Sequence, residues 1–130
     1  MLKLVFVYGT LLQRERNHHF LNRNPFALAY LENYKLFNLG NYPGIIEGEG
    51  VILGELYRIN DVDLKRLDYL EDNGDLYCRK EVLVKTLTKD YQAYVYVYNK
   101  EIPPNSFYQG KIQCWKKDQT AWKEIIEKIK

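Results

Sequence analysis

A chain of 130 residues, 46% of them apolar, can build a sizeable core in one domain spanning 1–130 and is too short for two ordinary ones. The net charge is only +2, and the basic residues are scattered apart from a thin C-terminal cluster of Lys116, Lys117, Lys123, Lys128 and Lys130, which argues against a nucleic-acid partner. Cys78 and Cys114 lie far apart without a CxxC pair, which indicates neither a disulfide framework nor a zinc site and fits a reducing cytoplasm.

In chain order, Leu2 to Val7 is a short apolar run rich in β-branched and aromatic residues, which predicts a buried strand. It is too short for a signal peptide, lacks a small-residue cleavage site, and is followed by Arg14-Glu15-Arg16. No stretch reaches the ~18 apolar residues needed to cross a bilayer, so no membrane partner is expected. The strand breaks at Tyr8-Gly9-Thr10-Leu11. Such a turn can aim backbone N–H groups at one point, and a glycine, free to take φ > 0 and without Cβ, lets a ligand approach the main chain. The two readings are a cradle for a carboxylate or phosphate and a plain turn.

Gln13 to Asn22 predicts a short amphipathic helix ending before Asn24-Pro25. Its adjacent His18 and His19 point to different faces, so no shared metal site is expected. Phe26 to Leu39 reads as one strand or two, and Gly40 to Gly44 and Glu47 to Gly50 as loops. Val51 to Ile59 is strand-like, with Gly54 marking a bulge or a close approach. Asn60 and Asp63 open a helix through Leu64 to Glu71 that Asn73-Gly74 ends. Arg79 to Leu87 and Tyr91 to Tyr98 predict a hairpin across Thr88-Lys89-Asp90, with Tyr94, Tyr96 and Tyr98 on one face and Ala93, Val95 and Val97 on the other. Glu101 to Asn105 is a loop, and Thr120 to Lys130 an amphipathic helix with Trp122, Ile125, Ile126 and Ile129 inward. The twelve tyrosines suit sheet surfaces and a hydroxyl-lined pocket.

At about 100° per residue, Leu64, Leu67 and Glu71 fall on one helical stripe, so a carboxylate lies on the face expected to be buried. It also stands in the last turn, where the helix dipole disfavours anions. Both effects push its pKa upward, toward the range useful for moving protons near neutral pH. The structural alternatives are an ion pair with Arg79 or Lys80, or a frayed, solvated end. Asp68 lies beside the same stripe, whereas Asp72 belongs to the turn. A paired-carboxylate sugar hydrolase lacks a placeable second acid. The only serine, Ser106, sits beside a proline-rich loop, and a Cys–His pair from Cys78 or Cys114 would need a histidine that only the fold can bring near.

The order Tyr8-Gly9-Thr10-Leu11, Tyr42-Pro43-Gly44, Gly54-Glu55-Leu56-Tyr57, Leu67-Asp68-Tyr69-Leu70-Glu71 and Tyr77-Cys78-Arg79 resembles the gamma-glutamylcyclotransferase-like family, in particular its short gamma-glutamylamine cyclotransferase and avirulence-induced-gene branch. The likeness runs from residue 2 to about 98. It implies an α+β fold, a small mixed β-barrel with flanking helices, and an enzyme that needs no cofactor or metal. It also implies that the amides of Tyr8, Gly9, Thr10 and Leu11 hold the α-carboxylate of a small γ-glutamyl substrate, with Tyr77 beside them and Glu71 as acid and base. The reaction implied is attack of the substrate's α-amine on its own γ-carbonyl, giving 5-oxoproline and a free amine or amino acid. Family members often carry glycine directly after the glutamate; here Asp72 stands there and Gly74 follows two later. The short YGTL loop and the Glu71 to Tyr77 spacing lead to an expected preference for γ-glutamylamines over γ-glutamyl dipeptides and glutathione. The rivals are a non-catalytic module that binds a small carboxylate and an interaction domain with a tyrosine-rich surface.

Overall fold

The computed structural model describes residues 2–115 and 119–129; Lys116, Lys117 and Lys130 of the basic cluster and the end of the last predicted helix lie outside them. Five strands close into a mixed barrel. β1 (Lys3–Val7) runs antiparallel to β3 (Pro43–Ile59), with Val5 opposite Tyr57, and parallel to β5 (Asp90–Tyr98), with Val5 opposite Tyr94. β5 pairs antiparallel with β4 (Tyr77–Lys85), β4 meets β2 (Ala27–Asn38) at Lys85 and Tyr30, and β2 pairs antiparallel along β3. β6 (Ile112–Gln113) adds in parallel to β3 at Val51 and Ile52. Two helices flank the barrel, α1 (Asp61–Leu70) and α2 (Thr120–Ile129). The α+β barrel that the family resemblance implies is therefore present.

Strand alternation separates two apolar layers. Phe6, Ala29, Leu31, Ile52, Val84 and Val95, drawn from all five barrel strands, fill the interior. Val5, Val7, Tyr57 and Tyr96 face the other way and meet Leu64 and Leu67 of α1 and Leu11, Leu12 and Leu21 of the segment after β1. The expected split of β5 holds, with Ala93, Val95 and Val97 in the first layer and Tyr94, Tyr96 and Tyr98 in the second. Gly54 also has the expected reason to be glycine: a Cβ there would strike the Val7 carbonyl oxygen.

Three expectations are corrected. Gln13 to Asn22 is not an α-helix but a series of turns with a single 3-10 turn at His18–Phe20, and Arg14 and Asn22 have φ of 68° and 46°. Its only strong apolar residues, Phe20 and Leu21, are adjacent and give no helical stripe. Glu47 to Gly50, read as a loop, lies inside β3, a 17-residue strand that starts at Pro43. Its glycines sit under close neighbours: a Cβ on Gly50 would come within 2.6 Å of the Tyr34 carbonyl oxygen, and one on Gly44 within 2.8 Å of the Phe37 ring. In α2, Trp122 and Ile126 are buried on Tyr30, Val51 and Leu53, whereas Ile125 and Ile129 are 40% and 56% exposed. The i, i+4 pair takes the whole contact and turns the other two isoleucines outward. Among the described residues no helix is long and apolar enough to cross a membrane.

Candidate functional site

The Asn60 side chain accepts from the Asp63 N–H at 2.8 Å and starts α1, whose Leu64 and Leu67 bury against the barrel. Glu71 stands one residue past the last helical residue, with φ −87° and its N–H donating to the Leu67 carbonyl at 2.9 Å. Asp72 then takes φ 52°, which ends the helix and swings the chain away. The Glu71 side chain is left in a cavity of about 120 Å³ on the buried side of this end. Burial pushes its carboxyl up to about 7. Arg79, one of its candidate partners, pairs instead with Asp68 at 3.1 Å, and Asp68 also accepts from the Tyr96 hydroxyl at 2.7 Å.

The same cavity is lined by Tyr8, Gly9, Thr10 and Leu11, by Pro43, and by Tyr77 and Tyr96. Gly9 is required for space and not for φ > 0, because the glycines with positive φ are Gly40, Gly74 and Gly110. A Cβ on Gly9 would lie 2.6 Å from Pro43 Cγ and 2.8 Å from Cδ, so the loop passes directly under the proline ring. Around this crossing the loop is tied down at several points. Leu12 N–H donates to the Gly9 carbonyl at 3.0 Å, Gln13 N–H to the buried carboxylate of Glu55 at 3.0 Å, and Asn17 N–H and Nδ2 to the Thr10 carbonyl and hydroxyl, both at 2.9 Å. Tyr57 donates its hydroxyl to the same Glu55 oxygen at 2.8 Å. The N–H groups of Gly9, Thr10 and Leu11 donate to no acceptor among the described residues, so three donors remain on one wall.

The tyrosines supply the opposite polarity. Tyr8 donates its hydroxyl to the Tyr96 carbonyl at 2.7 Å and Tyr77 donates its own to the Pro43 carbonyl at 2.6 Å. Each proton is thus committed, and each phenol oxygen keeps only acceptor capacity. Burial first, then the neighbouring Tyr77 and Glu71 for Tyr8, and Glu71 for Tyr77, raise both phenols so that they stay neutral. N–H donors, phenol acceptors and a carboxyl near neutrality therefore share one small space, a set that suits an amino-acid head carrying both a carboxylate and an amine.

The structure thus brings Tyr8, Gly9, Thr10, Leu11, Tyr77 and Glu71 together. The sequence reading missed Pro43, Tyr96 and Arg16 as lining residues and Glu55 as the anchor of the loop. Pro43 and Glu55 did stand within the segments that carry the family resemblance, whereas Tyr96 was visible only as part of the alternating tyrosine face. His18 packs on Tyr57 with its Nδ1 3.1 Å from the Leu11 carbonyl oxygen, and His19 stacks on Phe20. Among the described residues no three His, Cys, Asp or Glu side chains are grouped to hold a metal.

The half-buried Glu71 carboxyl makes the stability of the fold depend on pH. Its folded-state pKa lies above the ordinary 4.5, so the folded chain binds the extra proton and stability is lost as pH rises from 4.5 through about 7. A rise of that size corresponds to about 3 kcal/mol. Glu71→Gln should therefore be up to ~3 kcal/mol more stable than the parent at pH 8 and about equal to it near pH 4. Denaturant titrations at the two pH values test this; equal stability at pH 8 would show that the carboxylate is solvated.

The family model described as Gamma-glutamyl cyclotransferase, AIG2-like, matches residues 5–120. The chain is 36% identical over 99 residues to the gamma-glutamylcyclotransferase family protein YtfP of Escherichia coli strain K12, a match covering 75% of this chain and 84% of that protein. It is 30% identical over 125 residues to the gamma-L-glutamyl-butirosin B gamma-glutamyl cyclotransferase of Niallia circulans, covering 86% and 74% respectively. In fold it is similar to an AIG2-like protein of Mus musculus, with a TM-score of 0.75 at 24% identity over 88% of each chain.

Proposed function

The chain belongs to the gamma-glutamyl cyclotransferase, AIG2-like family, and we propose that it cyclises γ-glutamyl compounds to 5-oxoproline with release of an amine or amino acid. The observation that carries this reading is the placement of the Glu71 carboxyl and the three unpaired N–H groups of Gly9, Thr10 and Leu11 around one cavity. The N–H groups bind the substrate's α-carboxylate, and the Tyr8 and Tyr77 oxygens accept from the adjacent α-amine. This folds the substrate so that the amine nitrogen faces its own γ-carbonyl, a near-attack geometry that supplies much of the rate.

The new bond joins the α-nitrogen to the γ-carbonyl carbon, and the bond that breaks joins that carbon to the leaving nitrogen. One proton must leave the attacking nitrogen and one must reach the leaving nitrogen. Glu71, with its carboxyl near 7, takes the first as carboxylate and returns it as acid. No electrons are gained or lost, so the reaction calls for no redox partner. That the Niallia circulans relative is named for a γ-glutamyl compound supports the substrate class.

Incubation with a panel of γ-glutamyl compounds, with 5-oxoproline followed by mass, tests the proposal. Cyclisation of at least one is expected; binding of 5-oxoproline without turnover of any would make the chain a small-carboxylate-binding module. Within the panel, γ-glutamyl-ε-lysine should exceed γ-glutamyl-alanine in kcat/KM, and a tenfold difference corresponds to about 1.4 kcal/mol of transition-state discrimination. The reverse ratio would move the chain to the dipeptide branch.

A further inference from the structure

We infer that Arg16 is a specificity residue that binds a carboxylate on the departing group, so that the preferred leaving amine, whether an amino acid or the side-chain amine of one, carries an acid. The inference rests on the cyclotransferase reading above. Among the described residues that line the cavity, Arg16 is the one permanent cation and Glu71 the one carboxyl. The other arginines with described partners are engaged within the fold: Arg23 and Arg66 with Asp63, Arg79 with Asp68, and Arg58 over the Phe26 ring. The exposed side chain of Arg16 has no ion pair or hydrogen bond among the described residues.

Its backbone is nevertheless fixed. The left-handed turn at Arg14 reverses the chain, Asn17 is tied twice to Thr10 directly after it, and His19 Nδ1 lies 3.1 Å from the Arg16 carbonyl oxygen. The backbone on both sides of Arg16 is thereby held to the loop that carries the N–H donors. Those donors already match the α-carboxylate of the glutamyl part. At the inner end of the cavity stand the buried Phe6, Val7, Tyr8 and Tyr96. A γ-glutamyl substrate whose scissile nitrogen reaches Glu71 must therefore extend its leaving substituent toward the exposed rim, where Arg16 stands. A planar guanidinium can meet a carboxylate there with two parallel hydrogen bonds.

The test compares γ-glutamyl-alanine with γ-glutamyl-alaninamide, two substrates of nearly the same shape that differ in one charge. The parent should favour the acid in kcat/KM by about tenfold, the scale of one charge-assisted hydrogen bond, and less so as salt is raised. In Arg16→Gln the acid should fall to the level of the amide, while the amide, which offers Arg16 no charge, reports any change in fold or in α-carboxylate binding. An unchanged ratio in the variant, a parent ratio near one, or an equal fall for both substrates would overturn the inference, the last by moving Arg16 to the α-carboxylate. Calorimetric binding of the same two compounds to parent and variant reads the same ratio without turnover. Binding with the expected ratio but no 5-oxoproline would fail the catalytic reading and keep Arg16 as the acid-reading residue; binding of neither would end both.

Discussion

Glu71→Gln should lower kcat by about 10³-fold or more while the protein stays folded and still binds 5-oxoproline. Positioned acid–base catalysis typically contributes about 10² to 10⁴, and here one carboxyl serves both proton transfers. The amide has nearly the same shape but can neither take the amine's proton nor return it to the leaving nitrogen. With the carboxyl at about 7, activity of the parent should fall as pH drops below 7, because the form that accepts the proton is lost. The same substitution is expected to stabilise the fold at pH 8, so loss of activity and gain of stability should appear together. That pairing separates removal of a catalytic group from simple damage. A variant within about tenfold of the parent would remove Glu71 from the chemistry.

How far this site was legible in the sequence depends on which contacts are local. Glu71 could be found because the side it faces is set by one helix: Leu64 and Leu67 define the buried stripe, and the next turn of the helix ends at the carboxylate. The tyrosine alternation of β5 was readable for the same reason, a period of two along a single strand. The segment from Gly40 to Gly50 was not. Its glycines and proline are turn formers by local chemistry, yet from Pro43 onward the chain is a strand, because β2 pairs with it through Glu47 and again from Val51, on either side of an irregularity at 48–50, and Phe37, Lys35 and Tyr34 press on the glycine positions. That information lies in another strand. Tyr96, far from Glu71 in sequence, reaches the cavity only through barrel closure, and Glu55 is an anchor only because Gln13 is folded over it. The partner of Arg79 was similarly undetermined: Asp68 and Glu71 are one helical turn apart, and only the geometry of β4 against α1 selects Asp68.

Gly9→Val should reduce kcat/KM by about 100-fold, equivalent to about 2.7 kcal/mol, chiefly through weaker substrate binding. The cause is spatial. The first added carbon would sit 2.6 Å from Pro43 Cγ, well inside van der Waals contact, and Pro43 is part of the strand backbone and cannot rotate aside like the tip of a long side chain. Either the loop or the start of β3 must move. Moving the loop tilts the Gly9, Thr10 and Leu11 N–H groups that hold the α-carboxylate; moving β3 shifts the Pro43 carbonyl that orients the Tyr77 hydroxyl. Both walls of the cavity are disturbed by one substitution, and the flanking Tyr8 and Leu11, which pack into the barrel interior and against α1, carry part of the disturbance into the core. Stability should fall by about 1–3 kcal/mol, the usual cost of overpacking, and Gly9→Ala should show a smaller fall in both measures. Affinity for 5-oxoproline, kcat/KM on an active substrate and a denaturant titration, run on the same three proteins, separate the two effects. If Gly9→Val binds as tightly as the parent, Tyr8 to Leu11 is merely a turn and the α-carboxylate must be held somewhere else.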